Sequence, residues 1–400
     1  MIPMQQVLND VQFLVGNKNF FERLKNVPAL PIFAPRMIEF FSALSNEILK
    51  DKRSRNFVHV TAYAYWIRRA SLEREKNLRN AVIESRLGRG VTFHIAPSNV
   101  PLAFAMSFTI AAMAGNANIV RLSSRQFLET EIICDLMNKL LSADFQDLQD
   151  YFYLVRYPHN EEITKFFSSL CDVRIIWGGD ATINEIRKIP IPPRSVELTF
   201  ADRHSIALIQ SEKYLDLDEI SVAKKFYADT YDVDQNACSS PRAIIWMGKS
   251  VDEARKNFWA SLEKLVHANY EMYPIQAIDK FSAACMLGMK NTGVKLVSED
   301  NFITRVEVDE LKSTFTDFKP GGGYFIEYIA EDFAEIIPLL NKQCQTLAVI
   351  GFDTKKIREW VISKGLRGVD RIVEFGETMR LAFMWDGFDL IREMSRYIEA

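Results

Sequence analysis

The chain has 400 residues, of which 48% are hydrophobic and 25% charged, so it is long enough for two domains with separate cores. Its formal net charge of −3 excludes a strongly basic surface, and we expect no nucleic-acid partner. The five scattered cysteines form no CxxC pair and the five histidines show no metal-ligand spacing, so we predict reduced thiols and no metal site.

The sequence shows neither a secretory signal nor an apolar segment long enough to span a membrane. Residues 1–10 lack the basic and apolar blocks of a secretory signal. The longest apolar run, residues 101–115, contains Ser107 and Thr109 and is too short to cross a bilayer. These observations predict a cytoplasmic protein without a membrane span.

The first hundred residues are predicted to be helical and peripheral. Residues 33–50 have a helical spacing of apolar side chains, at Ile38, Phe41, Leu44 and Ile48. Residues 62–80 form a basic stretch, which we interpret as a solvated helix face, with a partner surface as the alternative.

From Gly90 the pattern alternates between strands and helices. We predict strands over residues 91–95, 119–122, 151–157 and 173–177, and helices over 102–114, 126–141, 161–170 and 181–188. This is the layout of a parallel nucleotide-binding sheet, in which ligands lie at the carboxyl ends of the strands. Those ends carry residues 97–99 and 123–125.

Two further positions in this region could carry chemistry. Gly178 and Gly179 follow a strand, where glycine lets the backbone approach a phosphate or ribose, although a plain turn is the alternative. Neither GxGxxG nor a P-loop occurs in the chain. Glu197 lies in a largely apolar stretch, where a carboxylate is either paired structurally or kept available for proton transfer.

Cys238 stands in the polar segment DQNACSSPR, residues 234–242, just before a predicted strand at 243–247. A thiol in such a loop can be reached by a substrate, and backbone N–H groups there favour the nucleophilic thiolate. The alternative is that Cys238 is one more small buried hydrophobe.

The remainder of the chain returns to the same alternation. We predict a helix over residues 251–266, strands over 324–329 and 347–352, and helices over 355–364 and 388–398. The glycines of residues 321–323 are interpreted as a bend before a strand, because no helix with Lys and Ser/Thr follows them.

Taken in this order, these segments resemble the aldehyde dehydrogenase superfamily, and most closely its LuxC-like branch of acyl-CoA (fatty acid) reductases. The matching motifs are APSNVP (96–101), AGNANIVR (114–121), WGGD (177–180), EL (197–198), QNACSSPR (235–242), CQTL (344–347) and WDG (385–387). The resemblance implies an aldehyde dehydrogenase-like α/β fold. A Rossmann-type cofactor domain would cover residues 1–200, rejoined by 371–400, and a catalytic domain would cover 201–370.

The resemblance also implies roles for individual residues. Cys238 would be the nucleophile, Asn99 the donor to the oxyanion and Glu197 the general base. The cofactor would be bound by Ala96, Pro97, Ser98, Arg121, Ser124, Gly178 and Gly179. The sequence departs from the family pattern in three places: Arg121 replaces a lysine, Thr199-Phe200-Ala201 replaces Gly-Gly-Lys, and no second glutamate occurs near Cys344.

The function implied is reduction of a long-chain acyl thioester, from acyl-CoA or an acyl-protein, to an aldehyde through an acyl-cysteine. NADPH is favoured over NADH, because Arg121, Ser124 and Arg125 stand at a strand end that has no acidic residue. We also expect a homo-oligomer and an acyl-transferring partner protein. The alternatives are aldehyde oxidation, with Glu197 activating water, and a non-catalytic protein that binds a partner through the basic N-terminal helix.

Overall fold

The computed structural model describes residues 7–18, 21–24, 26–97, 102–298 and 300–400. The chain divides into two compact units. The first comprises Met1–Ala201 and Leu381–Ala400, and the second comprises Asp202–Arg380.

The chain up to residue 201 contains seven strands and eight α-helices among its described residues. The strands are β1 (Gln12–Val15), β2 (Arg86–Gly88), β3 (Val91–Ile95), β4 (Ala117–Arg121), β5 (Phe152–Arg156), β6 (Val173–Trp177) and β7 (Val196–Phe200). The helices are α1 (Phe21–Leu24), α2 (Pro35–Lys50), α3 (Val58–Trp66), α4 (Arg69–Asn77), α5 (Ala103–Met113), α6 (Leu128–Leu141), α7 (Glu161–Leu170) and α8 (Asp180–Arg187).

The second unit follows with seven strands and five α-helices in its described part, and the chain then ends in short elements. The strands of the unit are β8 (His204–Gln210), β9 (Pro241–Met247), β10 (Val294–Val297), β11 (Thr304–Val308), β12 (Tyr324–Ile329), β13 (Cys344–Ile350) and β14 (Arg371–Glu374). Its helices are α9 (Ser211–Leu215), α10 (Glu219–Thr230), α11 (Val251–Asn269), α12 (Pro274–Lys290) and α13 (Thr354–Ser363). The final elements are β15 (Met384–Trp385), β16 (Phe388–Asp389), α14 (Leu390–Glu393) and β17 (Ser395–Tyr397).

The first unit is built on a six-stranded sheet in the order β1-β5-β4-β3-β6-β7. All neighbours are parallel except β1, which is antiparallel to β5. Every residue of β3 is buried, as expected of a parallel strand that is covered on both faces. The carboxyl ends of β3, β4 and β5 therefore share one edge of the sheet.

The AGN motif, residues 114–116, lies at the opposite, amino-terminal edge of this sheet, just before β4. Gly115 has φ +91°, and a Cβ there would lie 1.9 Å from the Leu30 carbonyl oxygen, so the position requires glycine. The Asn116 side chain accepts from the N–H groups of Arg89 (2.7 Å) and Gly90 (3.0 Å) and donates to the Met394 carbonyl (2.9 Å). The motif thus fixes the start of β3 and the end of the chain.

The second unit is built on a seven-stranded sheet in the order β10-β11-β12-β9-β8-β13-β14. Its strands are parallel except for the antiparallel pair β10–β11. The central strand β9 is buried at every residue, with separate apolar clusters on the two faces of the sheet. The segment around Cys238 leads directly into this strand.

The C-terminal segment differs from the prediction of a single helix over residues 388–398. The structure has the four-residue helix α14, and β17 then pairs antiparallel with β2. Arg86 fixes this pairing, since its Nε donates to the Ser395 hydroxyl at 2.8 Å. The chain also returns to the first unit at Leu381 rather than at 371, because β14 pairs with β13 in the second sheet.

Two other segments were also predicted incompletely. The basic stretch of residues 62–80 belongs to two helices, α3 and α4, rather than one, and Leu72 is fully buried on the inner side of α4. Helix α12 was not predicted at all. Within the ranges that the structure describes, no helix is both long enough and apolar enough to cross a membrane.

Candidate active site

The loop of residues 231–240 connects α10 to β9 and carries Cys238 in a turn. We call it the nucleophile loop, after the role predicted for Cys238. Asp234 (φ 52°) and Gln235 (φ 56°) both adopt the left-handed backbone conformation. Two successive non-glycine residues in this region cost free energy, so the surrounding contacts must hold the loop in place. Cys238 itself is only partly buried, as a substrate-accessible thiol requires.

The buried side chain of Gln235 organises the loop through four hydrogen bonds. Its amide nitrogen donates to the carbonyls of Pro241 and Tyr324, both at 2.9 Å. Its amide oxygen accepts from the N–H groups of Gly323 (3.1 Å) and Tyr324 (2.9 Å). The first residue of the QNACSSP motif is therefore a bridge between the start of β9 and the start of β12.

The glycines at 321–323 form the predicted bend before a strand, and the structure shows that this bend also packs against the nucleophile loop. A Cβ on Gly321 would lie 2.3 Å from the Asp234 carbonyl oxygen, and Gly322 and Gly323 have φ +71° and +91°. The N–H of Gly322 donates to the same Asp234 carbonyl at 2.9 Å. These glycines serve backbone packing at the nucleophile loop.

Helix α12 holds the same bend from the other side. The buried Lys280 ammonium donates to the carbonyls of Gly322 and Asn301, both at 2.5 Å, and burial lowers its pKa to about 8. Gln276 donates to the Tyr270 hydroxyl (2.9 Å), which in turn donates to the Asp234 carboxylate (2.7 Å). The inner face of α12 thus supports the backbone of the nucleophile loop.

A second segment, residues 376–379, lies beside the nucleophile loop. The Ser239 hydroxyl contacts the Met379 sulfur at 3.2 Å, and the Ser205 hydroxyl donates to the Cys238 carbonyl at 2.7 Å. The Asp229 carboxylate accepts from the N–H of Gly376 (2.6 Å) and from the hydroxyl of Thr378 (2.8 Å). Burial raises the pKa of Asp229 to about 6. The segments that contact the loop around Cys238 are therefore themselves held in place by hydrogen bonds.

The remaining cysteines are unsuited to nucleophilic chemistry or lie elsewhere. Burial raises the pKa of Cys134, Cys171 and Cys344 to about 12, so these thiols stay protonated and inert. Cys285 is exposed on α12. Only Cys238, among the five, combines access with a loop position before a strand.

Those predicted cofactor residues that the structure describes lie at the carboxyl edge of the sheet in the first unit. A small depression there is lined by Ala96, Pro97, Ser123, Arg125 and Arg156, among others. The Arg156 Nε donates to the Ser123 carbonyl at 3.1 Å, but its buried Nη2 has no hydrogen-bond partner among the described residues. Arg156 was not predicted from the sequence, because only the pairing of β4 with β5 brings it to this edge.

Arg121 ends β4 at the same edge, with its guanidinium 4.7 Å from the centre of the Tyr157 ring. Its buried Nε also lacks a hydrogen-bond partner in the part of the chain that is described. Ser124 is exposed in the bend that follows β4. Unpaired guanidinium nitrogens of two arginines at this edge fit an anionic group such as a phosphate.

Gly178 and Gly179 lie in the turn between β6 and α8. The N–H of Gly178 donates to the Phe200 carbonyl at 3.2 Å. Gly179 has φ −66° and caps α8, so it does not need the conformational freedom of glycine. A Cβ on Gly178 would touch the Thr182 methyl at 3.2 Å. Ser98 and Asn99, the other predicted residues of this unit, lie outside the described ranges.

Glu197 adopts the paired arrangement, one of the two alternatives that the sequence left open. Its Oε2 accepts from the Arg174 Nε at 2.8 Å and Nη2 at 2.5 Å, and its Oε1 accepts from the Arg187 Nε at 2.8 Å. Arg174 is buried, whereas the Arg187 side chain is 52% exposed. Both carboxylate oxygens are therefore engaged by guanidinium groups.

One group of potential metal ligands appears in the described ranges, although the sequence analysis predicted none. Ligand atoms of Glu263, His267 and Asp300 lie within 4.8 Å of one another. His267 already hydrogen-bonds the Asp300 carboxylate directly, so the pair satisfies itself at the protein surface. The signal missed in the sequence was the spacing of four residues between Glu263 and His267 on one helix face.

The fold is that of the aldehyde dehydrogenases. A NAD-dependent benzaldehyde dehydrogenase from Corynebacterium glutamicum superposes with a TM-score of 0.62 at 13% identity, covering 94% of this chain and 87% of that chain. A 1-pyrroline-5-carboxylate dehydrogenase from Thermus with bound NAD gives a TM-score of 0.63 at 13% identity, with 94% and 82% covered. The predicted α/β, aldehyde dehydrogenase-like fold is confirmed.

The family is more specific than the fold. Residues 6–397 match the family described as acyl-CoA reductase (LuxC), and the chain belongs to this family. It is 24% identical over 321 residues to a long-chain acyl-protein thioester reductase of Aliivibrio fischeri and 24% identical over 333 residues to a long-chain acyl-protein thioester reductase 2 of Photobacterium leiognathi. In both alignments 78% of this chain is covered, and the chain spans 64% of the length of each relative.

Proposed function

We propose that this protein reduces the acyl group of a thioester to an aldehyde, with Cys238 as the nucleophile and a nicotinamide cofactor as the hydride source. The observation that carries the proposal is the position of Cys238 in a chain that matches the LuxC family almost throughout. Cys238 is accessible and lies in a loop that is fixed on both sides, whereas three other thiols are buried and protonated. We further propose that the reaction takes place in the cytoplasm.

The proposed chemistry has two steps, an acyl transfer to Cys238 and a hydride transfer that reduces the acyl-cysteine. The Cys238 thiolate attacks the thioester carbonyl, and the carbonyl oxygen takes up negative charge that the Asn99 amide and the Cys238 N–H would stabilise. The carbon–sulfur bond to the donor breaks, the donor leaves as a thiolate and an acyl-cysteine remains. When bound, a reduced nicotinamide would supply the hydride for this carbonyl. Cleavage of the carbon–sulfur bond to Cys238 would then release the aldehyde and restore the Cys238 thiolate.

Glu197 would act as the general base only after releasing one of its arginines. Arg187 is the one that can move, because its side chain is half exposed while Arg174 is buried. In the paired state both carboxylate oxygens already accept hydrogen bonds from arginines, which compete with a water molecule for their lone pairs. This arrangement supports reduction over the alternative of aldehyde oxidation, which requires water to attack the acyl-cysteine.

The donor is proposed to be a long-chain acyl thioester carried by CoA or by a partner protein. The family name points to acyl-CoA, and the names of the two bacterial relatives point to an acyl-protein. The test is a parallel assay in which acyl-CoA or acyl-protein is mixed with reduced nicotinamide and the nicotinamide absorbance is followed. Aldehyde formation with loss of that absorbance supports reduction, whereas turnover only from aldehyde and oxidised nicotinamide would establish oxidation instead.

We propose NADPH as the preferred cofactor, with NADH as the weaker substrate. Arg121 and Arg156 present guanidinium nitrogens without partners at the carboxyl edge of the first sheet, where the adenosine ribose is expected. Arg125 and Ser124 lie at the same edge. A 2′-phosphate would satisfy these donors, and no acidic residue is among the described residues that line the depression, where the two free hydroxyls of NADH would need one.

Removing either guanidinium should therefore reduce the discrimination between the two cofactors. We expect Arg156→Gln and Arg121→Gln each to raise KM for NADPH by about tenfold, which corresponds to one charge-assisted hydrogen bond, and to change KM for NADH little. Arg358→Gln, at an exposed position on α13, is the control and should change neither value. Equal kcat/KM for NADPH and NADH in the unmodified protein would contradict the assignment.

We also propose that the protein is a homo-oligomer that pairs through the outer face of α12. This face consists of large apolar side chains that are 44–87% exposed: Ile275, Ile278, Phe281, Met286 and Met289. An apolar surface of this kind marks an interaction site. Asp279 and Lys290 both border this face along the same side. A two-fold axis midway between the two residues would pass near Cys285. Such an axis would place Asp279 of each copy beside Lys290 of the other copy. This charge complementarity favours a second copy as the occupant.

The oligomer can be tested by a single charge placed on this face. Phe281→Glu should shift the mass measured by light scattering from that of a dimer to that of a monomer, because the charge would have to be buried in the pair. Ile362→Glu is the matched control at a position 71% exposed elsewhere in the same unit, and it should leave the mass unchanged. A short bismaleimide should also link two copies through Cys285; a monomeric mass for the unmodified protein would overturn the pairing.

A further inference from the structure

Three side chains with metal-ligating atoms converge beside the last turns of α11. Glu263 and His267 are four residues apart on this helix, so they lie on the same face, one turn from each other. Asp300 reaches them from the segment that leads into β11. One ligand atom of each residue, a carboxylate oxygen or an imidazole nitrogen, lies within 4.8 Å of those of the other two. The fold therefore brings together two separate segments of the chain at this point.

The carboxylate of Asp300 is held in a fixed orientation by its own segment. Its Oδ1 accepts from the Phe302 N–H at 2.7 Å, and its Oδ2 accepts a hydrogen bond from the His267 Nε2. The Ser298 hydroxyl donates to the Asp300 carbonyl at 2.5 Å and fixes the backbone at the same residue. One oxygen of Asp300 is thus engaged by the backbone, and the other is directed at α11.

The charge at this point is negative. Two carboxylates face a single imidazole, so the group stays negative even if the imidazole carries a proton. Among the residues that the structure describes, neither Glu263 nor Asp300 forms an ion pair with a lysine or an arginine. The nearby Lys280 ammonium donates instead to the carbonyls of Asn301 and Gly322. A cation at this point would therefore meet no competing ammonium or guanidinium group.

The ligand types select the kind of cation. Zn²⁺ binds imidazole nitrogen and carboxylate oxygen at about 2.0–2.2 Å, often with three protein ligands and one water, whereas Mg²⁺ and Ca²⁺ prefer oxygen ligands alone. A tetrahedral ion with these bond lengths keeps its ligand atoms about 3.4 Å apart. The side chains of Glu263 and His267 are not buried, so small rotations about their side-chain bonds can produce this spacing.

We propose that Glu263, His267 and Asp300 bind one Zn²⁺ ion, with water as the fourth ligand. Ligation through the His267 Nε2 leaves the imidazole proton on Nδ1, so the ion replaces the hydrogen bond between His267 and Asp300. The ion would join α11 to the segment before β11. That segment contacts the nucleophile loop, because the Tyr231 hydroxyl donates to the Phe302 carbonyl at 3.2 Å. The role is structural and does not depend on the proposed reductase activity.

Zinc binding is tested by calorimetric titration of the full-length protein. The protein carries Cys285→Ser, which removes the exposed thiol that would compete for the metal. We expect one equivalent of Zn²⁺ to bind with Kd below about 10 µM. His267→Ala should weaken binding at least about a hundredfold, because even residues that only support a metal ligand contribute about 10- to 100-fold. Asp300→Asn should also weaken it, although the amide oxygen can still accept from the Phe302 N–H.

The matched control is His159→Ala, which removes an exposed histidine of the first unit and should leave zinc binding unchanged. A Kd above about 10 µM, or equal Kd values with and without His267→Ala, would overturn the proposal. Co²⁺ in place of Zn²⁺ should give visible bands without a thiolate-to-cobalt charge-transfer band, and the presence of that band would place the metal on a cysteine instead.

Thermal unfolding separates the metal site from a simple hydrogen bond between His267 and Asp300. If the metal site is correct, Zn²⁺ raises Tm of the parent protein and of His159→Ala, and it leaves Tm of His267→Ala unchanged. If the two residues serve only as a hydrogen-bonded pair, His267→Ala lowers Tm by the same amount with and without Zn²⁺. None of these measurements contains an acyl donor or nicotinamide, so their outcome is independent of the reductase assay.

Discussion

Cys238→Ala is expected to form no acyl-enzyme and to reduce aldehyde formation by at least about a thousandfold, because the variant lacks the nucleophile on which both half-reactions depend. When the unmodified protein is mixed with a long-chain acyl-CoA and no nicotinamide, it should gain the mass of one acyl group on the peptide that holds Cys238. Addition of NADPH should then release the acyl group as aldehyde, while water alone should release it slowly.

Two variants separate the chemistry of this cysteine from its packing. Cys238→Ser should fold normally and acylate weakly, but its ester accepts hydride poorly compared with a thioester. Cys285→Ser removes the other accessible thiol and should leave acylation unchanged. An acyl group found on any residue other than Cys238, or normal turnover by Cys238→Ala, would reject the mechanism.

Gln235→Ala should lower the free energy of unfolding by about 3 kcal/mol, because it leaves four buried backbone groups without partners. The expected loss of activity is larger than the loss of stability alone would produce, since the bridge also holds the left-handed backbone before Cys238. Urea unfolding of the variant measures the first effect, and the rate of Cys238 acylation in the folded fraction measures the second.

Gln343→Ala provides the matched control, because Gln343 is an exposed glutamine in the same unit. It should change neither the unfolding midpoint nor the acylation rate. A Gln235→Ala variant with the stability of the control would show that the four hydrogen bonds are replaced by water or by backbone movement. In that case the loop would not depend on this side chain.

The sequence indicated the first sheet because its signals are local. Strands β3 and β6 were predicted with the bounds that the structure shows, since each is a short apolar run followed by turn residues. The helix predicted over residues 102–114 stops just before Gly115, whose φ of +91° is typical of the residue that follows a helix. The position of Cys238 before a strand was also predictable, because a polar loop and an apolar run adjoin there.

The features that the sequence did not indicate lack a clear signal in their own segment of the chain. Strand β17 was predicted as helix because its partner, β2, lies about three hundred residues earlier in the chain. Helix α12 was missed because apolar side chains occupy its exposed face as well as its buried one, which removes the helical periodicity. The unpartnered nitrogens of Arg156 and Arg242 are visible only once their surroundings are known.

The two faces of α12 have a thermodynamic consequence. Its inner side supports the nucleophile loop, because Gln276 holds the Tyr270 hydroxyl against Asp234 and Lys280 holds the adjoining bend at Gly322. Its outer side is the proposed contact with a second copy. Any shift of the helix on association would therefore alter the free energy of acylating Cys238. By reciprocity, acylation must change the association constant of the copies by the same factor. The acyl-loaded and unloaded forms would then differ in how tightly they pair, so that enzyme concentration becomes a variable of the reaction.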